Sequence, residues 1–210
     1  MNDVIAGIHR KILNDQDEKV IAWLGLNDTS MNHDLAREKH EPKTGDWFLE
    51  SDMFMTRENS RKTSLWLQGK AGSGKTILCS TIIEHIKGIC DSNPSYQYAY
   101  FYFDFNENQK QTVVGLLRSM ILQLCVGNAS LPTEVHELYK QCTEGHQQPT
   151  LQGLIKVFSS LFTDSVRTFL IMDALDECNE REELMKIISQ IVNNSSGMLN
   201  LLMTSGRNGI

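Results

Sequence analysis

The sequence predicts an α/β fold, with one mostly parallel sheet between layers of helices. Three observations carry that prediction. Four short apolar runs, at 64–68, 97–105, 168–173 and 199–204, are separated by stretches with helical periodicity. Helical crossovers between successive strands make the sheet parallel and its connections right-handed. Gly69-Lys-Ala-Gly-Ser-Gly-Lys-Thr76 follows the first run directly and fits G-x-x-x-x-G-K-[ST] at every defined position. Asp173 closes the third run, at the carboxyl end where open α/β sheets bind ligands.

Taken from the start, residues 1–26 read as helical. Val4, Ile5, Ile8 and Ile12 recur at helix spacing, and Val20, Ile21, Trp23 and Leu24 follow a polar break at 14–19. Turn residues at 27–30 lead into a dozen almost entirely polar positions, which suit a surface linker or a docking arm. The division drawn from this is a helical segment and linker over 1–43 and a nucleotide-binding domain over 44–210. Trp47, Phe48 and Leu49 stand just before the first strand. A short helix packed on the core explains them better than a lid over a base or ribose, because large aromatics are usually buried.

The glycine loop has a specific physical logic. Gly69, Gly72 and Gly74 let the backbone curl so that several N–H groups point at one centre, with Lys70, Ala71 and Ser73 between them. A helix beginning near Lys75 aims its positive end at the same place. The Lys75 ammonium reaches outer phosphates, and the Thr76 hydroxyl is placed to ligate Mg²⁺. A plain glycine turn is the alternative, but residue usage gives a chance match of roughly 1% in a chain this long.

Ile77, Leu78, Thr81, Ile82 and Ile86 continue that helix to about Cys90. The aromatic run 96–105 then suits a buried parallel strand, its rings serving the core rather than base stacking. Helices are expected over 111–126, 133–142 and 151–162, with Pro132 and Pro149 near the starts of the last two. In the third strand Asp173 is expected to hold Mg²⁺, directly or through water. Asp176 and Glu177 follow closely enough to reach an attacking water as base or orienting group, and which of them does so stays open. A last helix over 180–192 precedes the final strand and Arg207.

Composition excludes several classes. The chain has 210 residues, 40% of them hydrophobic, enough for one substantial core. A formal net charge of −6 without a dense Lys/Arg patch argues against a nucleic-acid binder. No run is long enough to span a bilayer, and Met1 opens a polar stretch unlike a signal peptide, so a cytoplasmic setting is expected. Five scattered cysteines without a C-x-x-C pair read as free thiols.

The glycine loop together with Phe169-Leu-Ile-Met-Asp-Ala-Leu-Asp-Glu177 resembles the NACHT domain of signal-transduction NTPases. The acidic pair Asp176-Glu177 beyond Asp173 carries that likeness. Thr44-Gly45-Asp46-Trp47-Phe48-Leu49-Glu50-Ser51, Leu65-Trp66-Leu67, the 100–105 strand, Gln148-Pro149-Thr150 and Asp173-Ala-Leu-Asp-Glu-Cys178 narrow it. They resemble the fungal STAND-type proteins related to vegetative-incompatibility factors and grouped with nephrocystin-3-like N-terminal regions. The resemblance implies a three-layer P-loop NTPase sandwich with strand order 5-1-4-3-2, the last strand missing here. It also implies a switch driven by ATP or GTP with Mg²⁺, and self-association on activation. The family's last strand usually ends Thr-Ser-Arg, its arginine near the terminal phosphate. This chain has Thr204-Ser205-Gly206-Arg207, which moves the candidate sensor Arg207 one residue along. Arg57 stands where a tryptophan is frequent. The chain closes where a fifth strand and helical lid would begin, which reads as truncation or a non-catalytic module. With no evident arginine finger, hydrolysis is expected to be slow or absent.

Overall fold

A computed structural model describes residues 15–25, 29–126, 131–195 and 198–207. The expected helix over residues 4–12 and the turn at 27–28 lie outside the described residues. Strands β1 (Thr63–Gly69), β2 (Tyr96–Tyr102), β3 (Arg167–Asp173) and β4 (Leu199–Gly206) form one sheet in the order β1-β4-β3-β2. Every pairing is parallel, and Leu65 lies opposite Leu202 while Ile171 lies opposite that same residue from the other side. The order is the one that the family resemblance implied for the four strands present.

Nine helices surround the sheet among the described residues: α1 (Asp15–Leu24), α2 (Ser30–Glu38), α3 (Asp46–Leu49), α4 (Asp52–Asn59), α5 (Lys75–Ser92), α6 (Val113–Val126), α7 (Thr133–Gln141), α8 (Leu151–Ser160) and α9 (Arg181–Asn194). Local chemistry starts several of them. Ser51 caps α4 by accepting the Phe54 N–H, and Thr150 caps α8 by accepting the Gly153 N–H. Pro132 precedes α7 with its fixed φ of −57°.

Strand alternation divides the interior in two. Ala99, Phe101, Leu170, Met172, Leu201 and Met203 point to one face and pack with α1 and α6–α9. Tyr100, Tyr102, Phe169, Ile171 and Leu202 point to the other and pack with α3–α5. The result is three layers, helix–sheet–helix. No helix of the described residues is long and apolar enough to cross a membrane. All five cysteines are free.

Several expectations are corrected. The polar break at 14–19 is not a break: from Asp15 it is the first turns of α1, whose acidic side chains suit a helix start. The polar stretch after residue 30 is helical, with His33 buried. Its Nδ1 lies 3.0 Å from the Tyr102 hydroxyl and its Nε2 lies 2.9 Å from Glu84 Oε1. Strand β2 stops at Tyr102, and Phe105 is 69% exposed in the following loop. Of the three apolar residues at 47–49, Phe48 is buried against Phe54, whereas Trp47 is 69% exposed.

Two buried arginines tie the peripheral helices down. Arg118 on α6 donates to the Trp23 and Leu24 carbonyls that end α1, and to Gln148 Oε1. Arg167, at the start of β3, donates to the Glu58 and Ser60 carbonyls at the end of α4 and to Asn200 Oδ1. Each supplies the donors that a helix C-terminus lacks.

Candidate functional site

Strand β1 ends at Gly69 and α5 begins at Lys75, so residues 70–74 must reverse direction within one exposed turn. Gly72 and Gly74 take φ of 74° and 82°, a left-handed conformation that side chains disfavour. A Cβ at either would meet no protein atom within 4 Å, so the space above them is open to a ligand. Gly69 is held for another reason: a Cβ there would stand 2.7 Å from Ser73 Oγ. The 18-residue helix α5 has no side-chain cap at its N-terminus, which leaves its first amides turned toward the loop. Lys75 folds back over the same turn, its Nζ donating to the Gly69 and Lys70 carbonyls at 2.9 Å each.

Asp173 ends β3 and is almost wholly buried. Its Oδ2 accepts from the Thr76 hydroxyl at 2.8 Å, and its Oδ1 accepts from the Thr204 hydroxyl at 2.6 Å. Burial pushes the Asp173 carboxyl above its ordinary range; the Thr204 and Thr76 hydroxyls and the Lys75 charge oppose that only in part. The thiol of Cys79, also buried, is pushed up by its burial and by Asp173 beside it. It is an inert neighbour rather than a nucleophile.

A carboxyl whose folded pKa is raised adds stability in full below its unfolded value. That contribution is lost as pH rises through the raised folded value. Asp173→Asn, a neutral mimic, is therefore expected to stabilise the ligand-free chain at about pH 8 and to add little at about pH 4. Thermal melts at the two pH values check this, and an equal gain at both would assign the effect to packing instead.

Past Asp173, Ala174 adopts a left-handed φ of 57° and turns the chain into a short 3-10 turn, Leu175–Glu177. Asp176 Oδ1 accepts the Gly206 N–H at 2.8 Å, and a Cβ on Gly206 would come within 2.7 Å of Asp176 Oδ2. Glu177 Oε2 accepts the Phe105 N–H at 2.9 Å. Burial pushes the Glu177 carboxyl up, Phe105 opposes, and Asp104, Asp176 and Asp173 add to the rise. Each acidic side chain thus holds a backbone amide of a neighbouring segment.

The fold brings the loop 69–76 and Asp173 together, with Asp176 and Glu177 at the same end of the sheet. Arg207 is exposed one residue past β4. Thr76 and Asp173 offer Mg²⁺ two hard oxygen donors at adjacent positions, and this ion commonly takes one or two protein oxygens and fills the rest with water and phosphate. Among the described residues no cluster of three or more His, Cys, Asp or Glu stands ready to hold a metal. The donor chemistry fits a cation shared with a phosphate rather than a protein-only cage. Thr204 enters the sequence reading only within Thr204-Ser205-Gly206-Arg207, without a role of its own, although a polar Thr-Ser closes an apolar strand there. Both residues are buried, and Ser205 accepts the Trp66 indole N–H at 2.9 Å.

Comparison with known proteins fits this geometry. The family described as Nephrocystin 3, N-terminal, matches residues 43–206. This chain belongs to that family. The match takes in the whole sheet of this nephrocystin-3 N-terminal domain, from β1 to the last residue of β4, and leaves α1 and α2 outside. The vegetative incompatibility protein HET-E-1 of Podospora anserina is 28% identical over 152 residues. That alignment covers 69% of this chain and 11% of HET-E-1, so the chain spans about a tenth of that relative's length. The nephrocystin-3 N-terminal assignment and this distant similarity agree with the motif reading of an NTPase-type region.

Proposed function

We propose that this domain binds a nucleoside triphosphate with Mg²⁺ and serves as a signalling switch with weak or no hydrolysis. One observation carries the reading: Asp173 at the carboxyl end of β3 meets Thr76, 97 residues earlier, beside Lys75 and the glycine loop that follows β1. In this reading the amides of residues 69–74 and the first turn of α5 cradle the phosphates. Lys75 exchanges its two carbonyl partners for outer phosphate oxygens, while Thr76 and Asp173 hold the cation. Bound Mg²⁺ supplies charge neutralisation on those oxygens.

Glu177, with its raised carboxyl, is the better suited of the acidic pair to take a proton from water. Asp176 holds the Gly206 amide, as Glu177 holds that of Phe105. Both side chains already serve backbone groups, which favours slow turnover. It also favours a second reading, a non-catalytic interaction module. Arg207 in a sensor role, self-association on activation, an intracellular setting and a functional boundary near residue 44 are parts of the switch proposal.

Calorimetric titration with Mg-ATP and Mg-GTP, beside Lys75→Ala, tests the reading. Removing a charge-assisted phosphate contact is expected to weaken binding about 10- to 100-fold. The preferred base decides between ATP and GTP. A folded wild-type chain that binds neither leaves the interaction-module reading.

A further inference from the structure

We propose that Thr204 is a positioning residue: its hydroxyl assigns Asp173 Oδ1 to the protein and leaves Oδ2 alone to serve Mg²⁺. The inference rests on the nucleotide-binding reading and gives a role to a residue that the motif reading left without one. A hydroxyl has one proton and can accept others. Here both directions are fixed. The Ala174 N–H donates to Thr204 Oγ1 at 2.9 Å, so the Thr204 proton is free to donate only elsewhere, and Asp173 Oδ1 lies 2.6 Å away. Thr204 is 1% exposed, so water does not compete for that proton.

The other oxygen is placed differently. Oδ2 accepts from Thr76, which stands at the exposed start of α5 beside the glycine loop. A carboxylate held at one oxygen can turn its second in only one direction, and that direction is toward the loop. The same Thr204 hydroxyl holds Ala174, whose left-handed φ of 57° swings Asp176 and Glu177 away from the line of β3. Strand β4 therefore fixes, through one side chain, both the carboxylate that ends β3 and the turn that follows it. Partners of metal-ligating carboxylates of this kind orient the ligand without touching the ion.

The test compares Thr204→Val, which keeps the shape and removes the hydroxyl, with Thr204→Ser, which keeps the hydroxyl. ATP and GTP are titrated into each full chain by calorimetry, once with Mg²⁺ and once with EDTA. Thr204→Val is expected to bind nucleotide in EDTA within about twofold of wild type. Its gain in affinity on adding Mg²⁺ should fall about 10- to 100-fold. Thr204→Ser should restore that gain. Mn²⁺ titrated against the same nucleotides, read by electron paramagnetic resonance, should show the same order among the three chains.

A Thr204→Val chain with an undiminished Mg²⁺ gain overturns the proposal. So does an equal loss with and without Mg²⁺, which would mark a general collapse of the loop. If Thr204→Val and Thr204→Ala both fail to fold, the hydroxyl belongs to the fold and the proposal is likewise overturned. A wild-type chain that binds neither nucleotide under either condition is a different failure, that of the parent reading, and removes the inference with it.

Discussion

A chain beginning at Lys43, where the family match starts, is expected to lose the cooperative unfolding of the full chain. Helix α1 buries Val20 and Leu24 completely within the larger core cluster. Burial of such side chains is worth about 1.5–3 kcal/mol each. Removing α1 also strips the Trp23 and Leu24 carbonyls from Arg118, a guanidinium already disfavoured by its burial. Helix α2 adds its own contacts. Lys110, 3% exposed, donates to Asn32 and to Glu107, and Asn32 donates to Asp104 at 3.0 Å. Loss of the His33 bonds leaves the Tyr102 hydroxyl at the end of β2 without that partner. The sum passes about 5 kcal/mol, the lower end of what holds a domain folded. Urea melts by circular dichroism check this. A cooperative transition of unchanged midpoint in the shorter chain would show that α1 and α2 are ornaments on a self-sufficient domain.

Arg167→Ala is expected to destabilise by about 3 kcal/mol, and Arg167→Lys is expected to recover less than half of that. The guanidinium is buried and, among the described residues, no ion pair offsets its charge. Instead it lies over the rings of Tyr96 and Phe169, at 5.6 and 5.1 Å, and donates to the carbonyls at the end of α4. Desolvation makes the charge expensive, but a delocalised guanidinium is weakly hydrated, so that cost is smaller than for an ammonium. Its removal leaves Glu58 O without its donor, worth about 1–3 kcal/mol, together with a void beside the two rings. Asn200 Nδ2 still donates to Arg57 O and Ser60 O, which limits the damage. Lysine presents a point charge without the planar fork. A Lys variant as stable as wild type would mean that charge alone, not the fork geometry, holds α4.

The four strands were legible because each is an apolar run closed by polar or charged residues, the pattern that burial of both faces imposes. The glycine loop was legible for the same local reason, since its residues answer to backbone conformation within eight positions. What escaped was long-range and polar. Helix α2 carries few apolar positions, and its anchor His33 meets Tyr102 and Glu84 far along the chain. Hydrophobic periodicity does not register such a contact. Phe105 misled because aromatic content says nothing of where a strand turns; the turn is set by Asp104, which accepts the Asn106 N–H at 2.9 Å. Thr204 escaped because its meaning depends on lying beside Asp173, a neighbourhood made by sheet order rather than by sequence.

The strand order also has a mechanical side. Strand β4 lies between β1 and β3, parallel to both, and its last residue Gly206 is in register with Gly69 at the mouth of the glycine loop. A tug on the backbone beyond Gly206 runs along the strand axis and loads both hydrogen-bond ladders in shear, so they resist together rather than unzipping one rung at a time. The first side chain to feel such a tug is Asp176, which holds the Gly206 amide, and next are Ser205 and Thr204, and through them Trp66, Asp173 and Ala174. Tension at this end of the chain would reach the carboxylate within two residues, which makes β4 a stiff tie-rod rather than a passive middle strand.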